Sequence, residues 1–330
     1  MTDTSVAIAG SSEIREPAQS FADRLAESVG RRESQLVLGL DPDPARLWPG
    51  ALDRAFGEAG LAGPASPATR AAAAVRRHCA LVLEAAAPEC VAVKLQVACF
   101  ERLGAPGWAA LQEVRDDARD AGLIVIADAK RGDIDVSAQA YAQAFLAETP
   151  TPFGPVAGLG VDAVTVNPLL GRDSLAPFVD AAGAHGGGLF VLARTSNPGA
   201  ADVQELELAG GEAVSDRLAR LIAELGAGSV GRSGLSDVGA VVGATAPHRL
   251  ARMRQLMPHA VMLLPGIGAQ GGRVEDLTPV FAPGPAAGLI TASRGIVFAH
   301  ERDGGEPAQA ARREAARLRE LAWSVAGCGP

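Results

Sequence analysis

Residues 123–135 read LIVIADAKRGDID: five apolar positions run straight into alternating acids and bases. An unbroken apolar run of this length, rich in branched residues, reads as a strand buried on both faces, as in a parallel sheet. Asp128, Lys130, Arg131, Asp133 and Asp135 then crowd charge onto its end. A core strand that finishes this way opens onto something polar.

Working outward, the same apolar pattern recurs as QLVLGLDP (35–42), CVAVKLQ (90–96), DAVTVNP (162–168), GLFVLART (188–195), VGAVVGAT (238–245), AVMLLPGIG (260–268) and GLITASRG (288–295). Stretches with helical periodicity lie between the runs, such as TRAAAAVRRHCALVLEAA (69–86) and WAALQEVRDDARDAG (108–122), and PAQAARREAARLRELAWSVA (307–326) follows the last. Eight strand–helix units are the number that closes a (β/α)8 TIM barrel in the α/β class. An open doubly wound sheet is the competitor, but the first turn, LGLDPDP, lacks the G-x-G-x-x-G fingerprint. SFADRLAESVGRR (20–32) spaces Phe21, Leu25 and Val29 as one apolar helix face, which predicts a helix ahead of the barrel. The expected organisation is a flexible head over residues 1–15 and one catalytic barrel domain over 16–330. Gly50 to Pro67 and Pro150 to Gly160 read as surface insertions.

The 330 residues are 48% hydrophobic and 21% charged, with net charge −8, a composition with ample material for a core. The acidic balance argues against nucleic acid or a membrane surface as partner, because neither polyanion is attracted. No charged start followed by a long apolar core marks a secretory leader, and no apolar stretch reaches spanning length, so a cytoplasmic location is expected. Four cysteines without C-x-x-C spacing read as free thiols. None of the five histidines falls in a charged strand end, and no His/Asp/Glu set has ligand spacing, so no metal is expected.

In such a barrel the C-terminal strand ends build the site. Read in order, those ends supply Asp41, Lys94, Asp128 with Lys130, Asn167, then Thr195, Ser196 and Asn197, and finally Arg294. Asp128 and Lys130 are two apart, so on a strand both point into the barrel mouth, where Lys94 can join them. Asp133 lies just beyond and can reach back or reach into a partner subunit. A salt-bridge network that merely fills the barrel would be the bland explanation. Buried ion pairs are weak stabilisers, however, so a functional cluster explains so many charges better. The glycine-rich turn PGIGAQGG (265–272) would let backbone N–H groups converge on an anion, and Arg294 adds a fork suited to phosphate oxygens. Their conjunction predicts a phosphorylated ligand.

D-x-K-x-x-D as Asp128, Lys130 and Asp133, with Lys94 before it and PGIGAQGG after it, resembles orotidine 5′-phosphate decarboxylase. SQLVLGLDPDP, VKLQVACFE, IADAKRGDI, VTVNPLLGRDS and RTSNPG extend the resemblance to the longer bacterial form (type 2), over about residues 20 to 320. The chain departs from that pattern at Leu95, where proline is expected, at Cys99, where an aromatic is usual, and at Asp135, where glycine is usual.

The resemblance implies a cytoplasmic homodimer that converts orotidine 5′-phosphate to UMP and CO2 in pyrimidine biosynthesis, with no cofactor. It implies that Asp41 and Lys94 bind the ribose hydroxyls, that Asp128 lies beside the substrate carboxylate, and that Lys130 protonates C6 of the pyrimidine. Asp133 of the partner subunit would complete the array, and Ser196 would read the pyrimidine amide edge. Gln270 and Arg294, with backbone near Gly268 and Gly295, would hold phosphate, and Asn167 would lie near the base. Two rivals have their own signatures. A sugar-phosphate lyase working through an enediolate on Mg²⁺ would need another acid beside Asp128, where Ala127 stands. A nucleotide-binding regulator would be expected to have lost part of the charged array.

Overall fold

The computed structural model describes residues 19–52, 66–268 and 270–328. The expected flexible head (1–15) and most of the insertion expected between Gly50 and Pro67 lie outside the described residues. Eight strands form the barrel: β1 (Leu36–Leu40), β2 (Ala92–Gln96), β3 (Ile124–Arg131), β4 (Ala163–Val166), β5 (Gly188–Arg194), β6 (Ser236–Val242), β7 (Ala260–Leu264) and β8 (Gly288–Ala292). All neighbours are parallel, and β1 pairs with both β2 and β8, which closes the sheet. Each strand lies inside the apolar run expected for it except at its ends, where β3 and β6 run slightly past. The insertion expected at Pro150 to Gly160 folds back in a small antiparallel ladder with the residues just before it, Glu148–Thr149 against Val156–Ala157.

Because side chains alternate across a strand, one apolar run supplies two cores. Leu36, Leu38, Val93, Leu95, Val125, Ala127, Val164 and Val166 point outward and pack under the helices. Their alternates Val37, Ala92, Ile124, Ile126, Ala163 and Phe190 form a separate interior cluster, walled off by the strand backbones. Leu95 is thus fully buried core. The shell includes Pro67–Ala86, Ala105–Asp120, Arg172–His185, Val214–Gly226 and the long closing helix Pro307–Val325. Between β7 and β8 a 3-10 helix runs over Val274–Phe281, with Pro279 inside it. The proline has no N–H to give to an α-helical ladder. No described helix is long and apolar enough to cross a membrane.

Helix α1 (Phe21–Arg32) closes one end of the interior. Its N-cap hydroxyl, Ser20 Oγ, accepts from Asp23 N, and Glu33 ends it in a left-handed conformation. Phe21, Leu25 and Val29 are at most 1% exposed and join the interior cluster. The Phe21 ring meets Phe190 edge-on at 6.0 Å. Gly188 makes room for it, since a Cβ there would lie 2.3 Å from Phe21 Cδ1. Truncating a fully buried phenylalanine removes its transfer free energy and leaves a cavity. Phe21→Ala should therefore cost about 3–5 kcal/mol, read as a lower urea midpoint at unchanged slope.

Candidate active site

The inward series continues to the C-terminal mouth. On β2 the inward positions are Ala92, then Lys94, then Gln96; on β3 they are Ile124, Ile126 and Asp128. Register pairs Lys94 with Ile126 and Gln96 with Asp128, so Lys94 and Asp128 are diagonal neighbours on adjacent strands. Asp41, Lys94, Asp128, Lys130, Ser196, Gln270 and Arg294 all line one cavity of about 370 Å³.

A charged array occupies its floor. Asp128 Oδ2 accepts from Lys94 Nζ at 2.6 Å, and Oδ1 accepts from Lys130 Nζ at 2.5 Å. Lys94 Nζ lies 3.6 Å from Asp41 Oδ1 and 3.4 Å from Gln96 Oε1. The side chains of Lys94 and Asp128 are 7% and 8% exposed, while that of Lys130 is 42% exposed and opens into the cavity. Burial works against both buried charges, and their partners outweigh it. Asp128 and Asp41 hold Lys94 above the ordinary lysine range, and Lys94 and Lys130 hold Asp128 well below the ordinary carboxylate range. Lys94 is thereby held as a cation and Asp128 as an anion around neutral pH.

Asp128 and Lys130 converge as expected, but not because both lie on a regular strand. Lys130 has φ 48°, in the left-handed region, and the β3–β4 register shifts between Ala127 and Arg131. The chain folds back locally and brings Nζ onto Asp128. Asp135 also sits at positive φ, 47°, which accounts physically for the glycine expected there.

The phosphate end divides between two cavities. Gly266, Gly268 and Gly271 all adopt positive φ, so the turn after β7 needs its glycines. Arg294 lines both the inner cavity and an adjoining outer one of about 860 Å³, whose wall includes Gly268 and Gly295. Arg46, Arg273, Arg302 and Arg317 face that outer space too, each within 4 Å of an acid, whereas Arg294 has no carboxylate partner among the described residues. The loop carrying Ser196 is pinned at its root. Arg194 donates to Glu205 and Thr245, and Thr245 Oγ1 donates to the Ser196 carbonyl.

Two expected residues are not brought to the cavity within this chain. Asp133 is half-buried, and its Oδ1 accepts from Ile134 N at 2.8 Å. Asn167 Oδ1 accepts from Leu169 N at 3.0 Å and so caps its own loop. Among the residues at the site with no role assigned from sequence, three stand out by position. Gln96 and Thr291 line the inner cavity, and the fully buried Thr165 donates through Oγ1 to Asp128 Oδ1 at 2.9 Å. Parity was the available signal. Gln96 stands two after Lys94, Thr165 two before Asn167, and Thr291 two before Ser293, which also lines the cavity.

The sequence matches the family described as "Orotidine 5'-phosphate decarboxylase / HUMPS" over residues 34–313. It is 44% identical over 302 residues to the orotidine 5′-phosphate decarboxylase of Deinococcus radiodurans, covering 91% of this chain and 96% of that one. The enzyme of that name from Rhodopirellula baltica is 40% identical over 284 residues, covering 86% and 90%. Among solved structures, the OMP decarboxylase of Leishmania donovani superposes with a TM-score of 0.68 at 31% identity, covering 94% of this chain and all of that one.

Proposed function

The chain belongs to the orotidine 5′-phosphate decarboxylase / HUMPS family, and from that membership we propose how its barrel mouth does the family's chemistry. The protein is a carboxy-lyase that converts orotidine 5′-phosphate to UMP and CO2 in pyrimidine biosynthesis. One observation carries the residue assignments: Lys94, Asp128 and Lys130 form a contiguous ionic array on the floor of a cavity whose other end reaches Arg294.

Breaking the bond between C6 and its carboxylate leaves the electron pair on C6, where no adjacent carbonyl can delocalise it. The Lys130 ammonium, held against Asp128, stands ready to stabilise that charge as it forms. It then gives its proton to C6, and water restores the proton to Nζ. Asp128 fixes the ammonium beside the substrate carboxylate, and Asp41 and Lys94 take the ribose hydroxyls. Ser196 reads the amide edge of the pyrimidine. Arg294, Gln270 and the backbone at Gly268 and Gly295 hold phosphate, and its binding energy helps organise the loops over the reacting end. Asn167, engaged with its own loop, is left out of the substrate contacts. The decay of orotidine 5′-phosphate absorbance on adding the enzyme tests this reading, with and without a chelator. Turnover unaffected by chelation supports it; turnover abolished by chelation favours a metal-bound enediolate route.

We further assign Asp133 to the cavity of a second copy in a homodimer. Its carboxylate is off the cavity of its own chain, and exposed Ile134, Val136, Leu169 and Leu170 lie on the segments that follow β3 and β4, at 47%, 80%, 77% and 51% exposure. Apolar side chains this exposed on adjacent loops suit a self-complementary interface. If the assignment holds, mixing inactive Lys130→Ala with inactive Asp133→Ala subunits regenerates one intact cavity in each mixed dimer. Activity should then return to about a quarter of wild type. A mixture that exchanges subunits and stays inactive would place Asp133 elsewhere.

A further inference from the structure

On the reading that Lys130 is the acid at C6, we infer that Thr165 is a positioning residue for the decarboxylation, because one buried hydroxyl fixes both Asp128 and the backbone of Lys130. Between the pairs Ala127↔Val164 and Arg131↔Val166, β3 carries three residues, Asp128, Ala129 and Lys130, opposite the single residue Thr165 of β4. This bulge is what turns Lys130 to φ 48° and sends its ammonium back to Asp128. It also takes the Lys130 N–H off the ladder. That N–H donates instead to Thr165 Oγ1 at 2.9 Å. The ladder resumes immediately beyond, where Asn167 N donates to the Arg131 carbonyl at 2.7 Å.

Hydrogen-bond directions are fixed by chemistry. A backbone N–H can only donate, so the Thr165 oxygen accepts from Lys130. Its single proton is then free to go to Asp128 Oδ1, 2.9 Å away, the same oxygen that receives Lys130 Nζ. With Lys94 on Oδ2, three donors hold the carboxylate plane. Thr165 is 0% exposed and its branched Cβ leaves few rotamers, so the hydroxyl cannot swing away. The ammonium is therefore anchored at both ends, at Nζ through Asp128 and at its own backbone through the bulge. Thr165 does not line the cavity. Its effect must pass through the aim of Lys130.

Thr165→Val keeps the shape and deletes the hydroxyl, so kcat should fall about 10–100-fold while KM stays within about threefold. Thr165→Ser, which restores the oxygen, should recover most of the lost kcat. Should the valine variant fail to fold, Thr165→Cys serves in its place, because a thiol is a weak donor and acceptor of similar size, and the same kcat-only loss is expected. The inference is overturned if kcat of Thr165→Val or Thr165→Cys stays within about twofold of wild type. It is equally overturned if KM rises while kcat is unchanged, or if Thr165→Ser is as slow as the variant lacking the hydroxyl. Lys130→Ala, assayed alongside, separates the two levels. Turnover in that variant defeats the role of Lys130 itself, whereas a silent Lys130→Ala beside fully active Thr165 variants defeats only the role of Thr165.

Discussion

Lys130→Ala should lower kcat by about 10⁴-fold or more, with UMP still bound measurably and the fold intact. Two effects vanish together. A preorganised cation aimed at developing charge is worth about 10²–10³-fold, and a positioned proton donor contributes about 10²–10⁴-fold. Their product exceeds what loss of a general contact would give. The fold should survive because Lys130 is the most exposed member of the array, with 42% of its side chain accessible. Asp128 keeps Lys94 at 2.6 Å and Thr165 at 2.9 Å as donors in its absence. Removing Asp128 instead would leave Lys94 buried without its nearest counter-charge, so that variant would confound chemistry with stability. Single-turnover decay of orotidine 5′-phosphate, with UMP affinity measured separately, separates chemistry from binding. Retained decarboxylation would remove Lys130 from the chemical step.

Arg294→Ala should lower kcat/KM by about 10²-fold or more, the scale of losing a charge-assisted contact worth roughly 3 kcal/mol. Arg294 is suited to an incoming phosphate because no carboxylate occupies it among the described residues, and because it borders the glycine-rich turn across the two cavities. A control makes the assignment specific. Orotidine, which lacks the phosphate, should react equally slowly with wild type and variant, since the missing interaction has no partner to lose. Equal losses on both substrates would mean that Arg294 supports the fold of the mouth rather than phosphate. Unchanged kinetics on orotidine 5′-phosphate would count against a phosphate role altogether.

How much of this was legible in the sequence follows from what each level of structure depends on. Strands were readable because burial on both faces requires apolar residues at every position, and the eight runs carry that mark. Their closed arrangement followed from the count. The Lys94–Asp128 pair was readable because inward parity on neighbouring parallel strands is a local rule. Parity also brought Lys130 to Asp128, but the structure reaches that contact through a bulge and a left-handed residue, which no pattern of apolar spacing encodes. Thr165 was hidden for the same reason, since a lone threonine among valines in DAVTVNP reads as an ordinary strand former. Asp133 and Asn167 sit in loops, where hydrogen bonds to the next residues decide direction. Helix α1 could be recognised by its apolar face, but not its docking against Phe190, because that contact joins positions far apart in the chain. The glycine expected at position 135 gave a correct hint of backbone shape, because Asp135 holds the positive φ that glycine adopts more easily.

The proposed chemistry depends on a lysine ammonium that meets charge at C6 of the pyrimidine ring. That charge can be approached from the product side. UMP incubated with the enzyme in D2O should slowly exchange its C6 hydrogen for deuterium, because in the reverse of the protonation step the neutral Lys130 amine takes the C6 proton, the ammonium so formed stabilises the carbanion and exchanges with solvent, and a deuteron returns to C6. Proton NMR of the C6 signal reads this directly. Exchange is expected with wild type and none with Lys130→Ala at equal UMP occupancy. No exchange by wild type enzyme saturated with UMP, or equal exchange by both proteins, would contradict it.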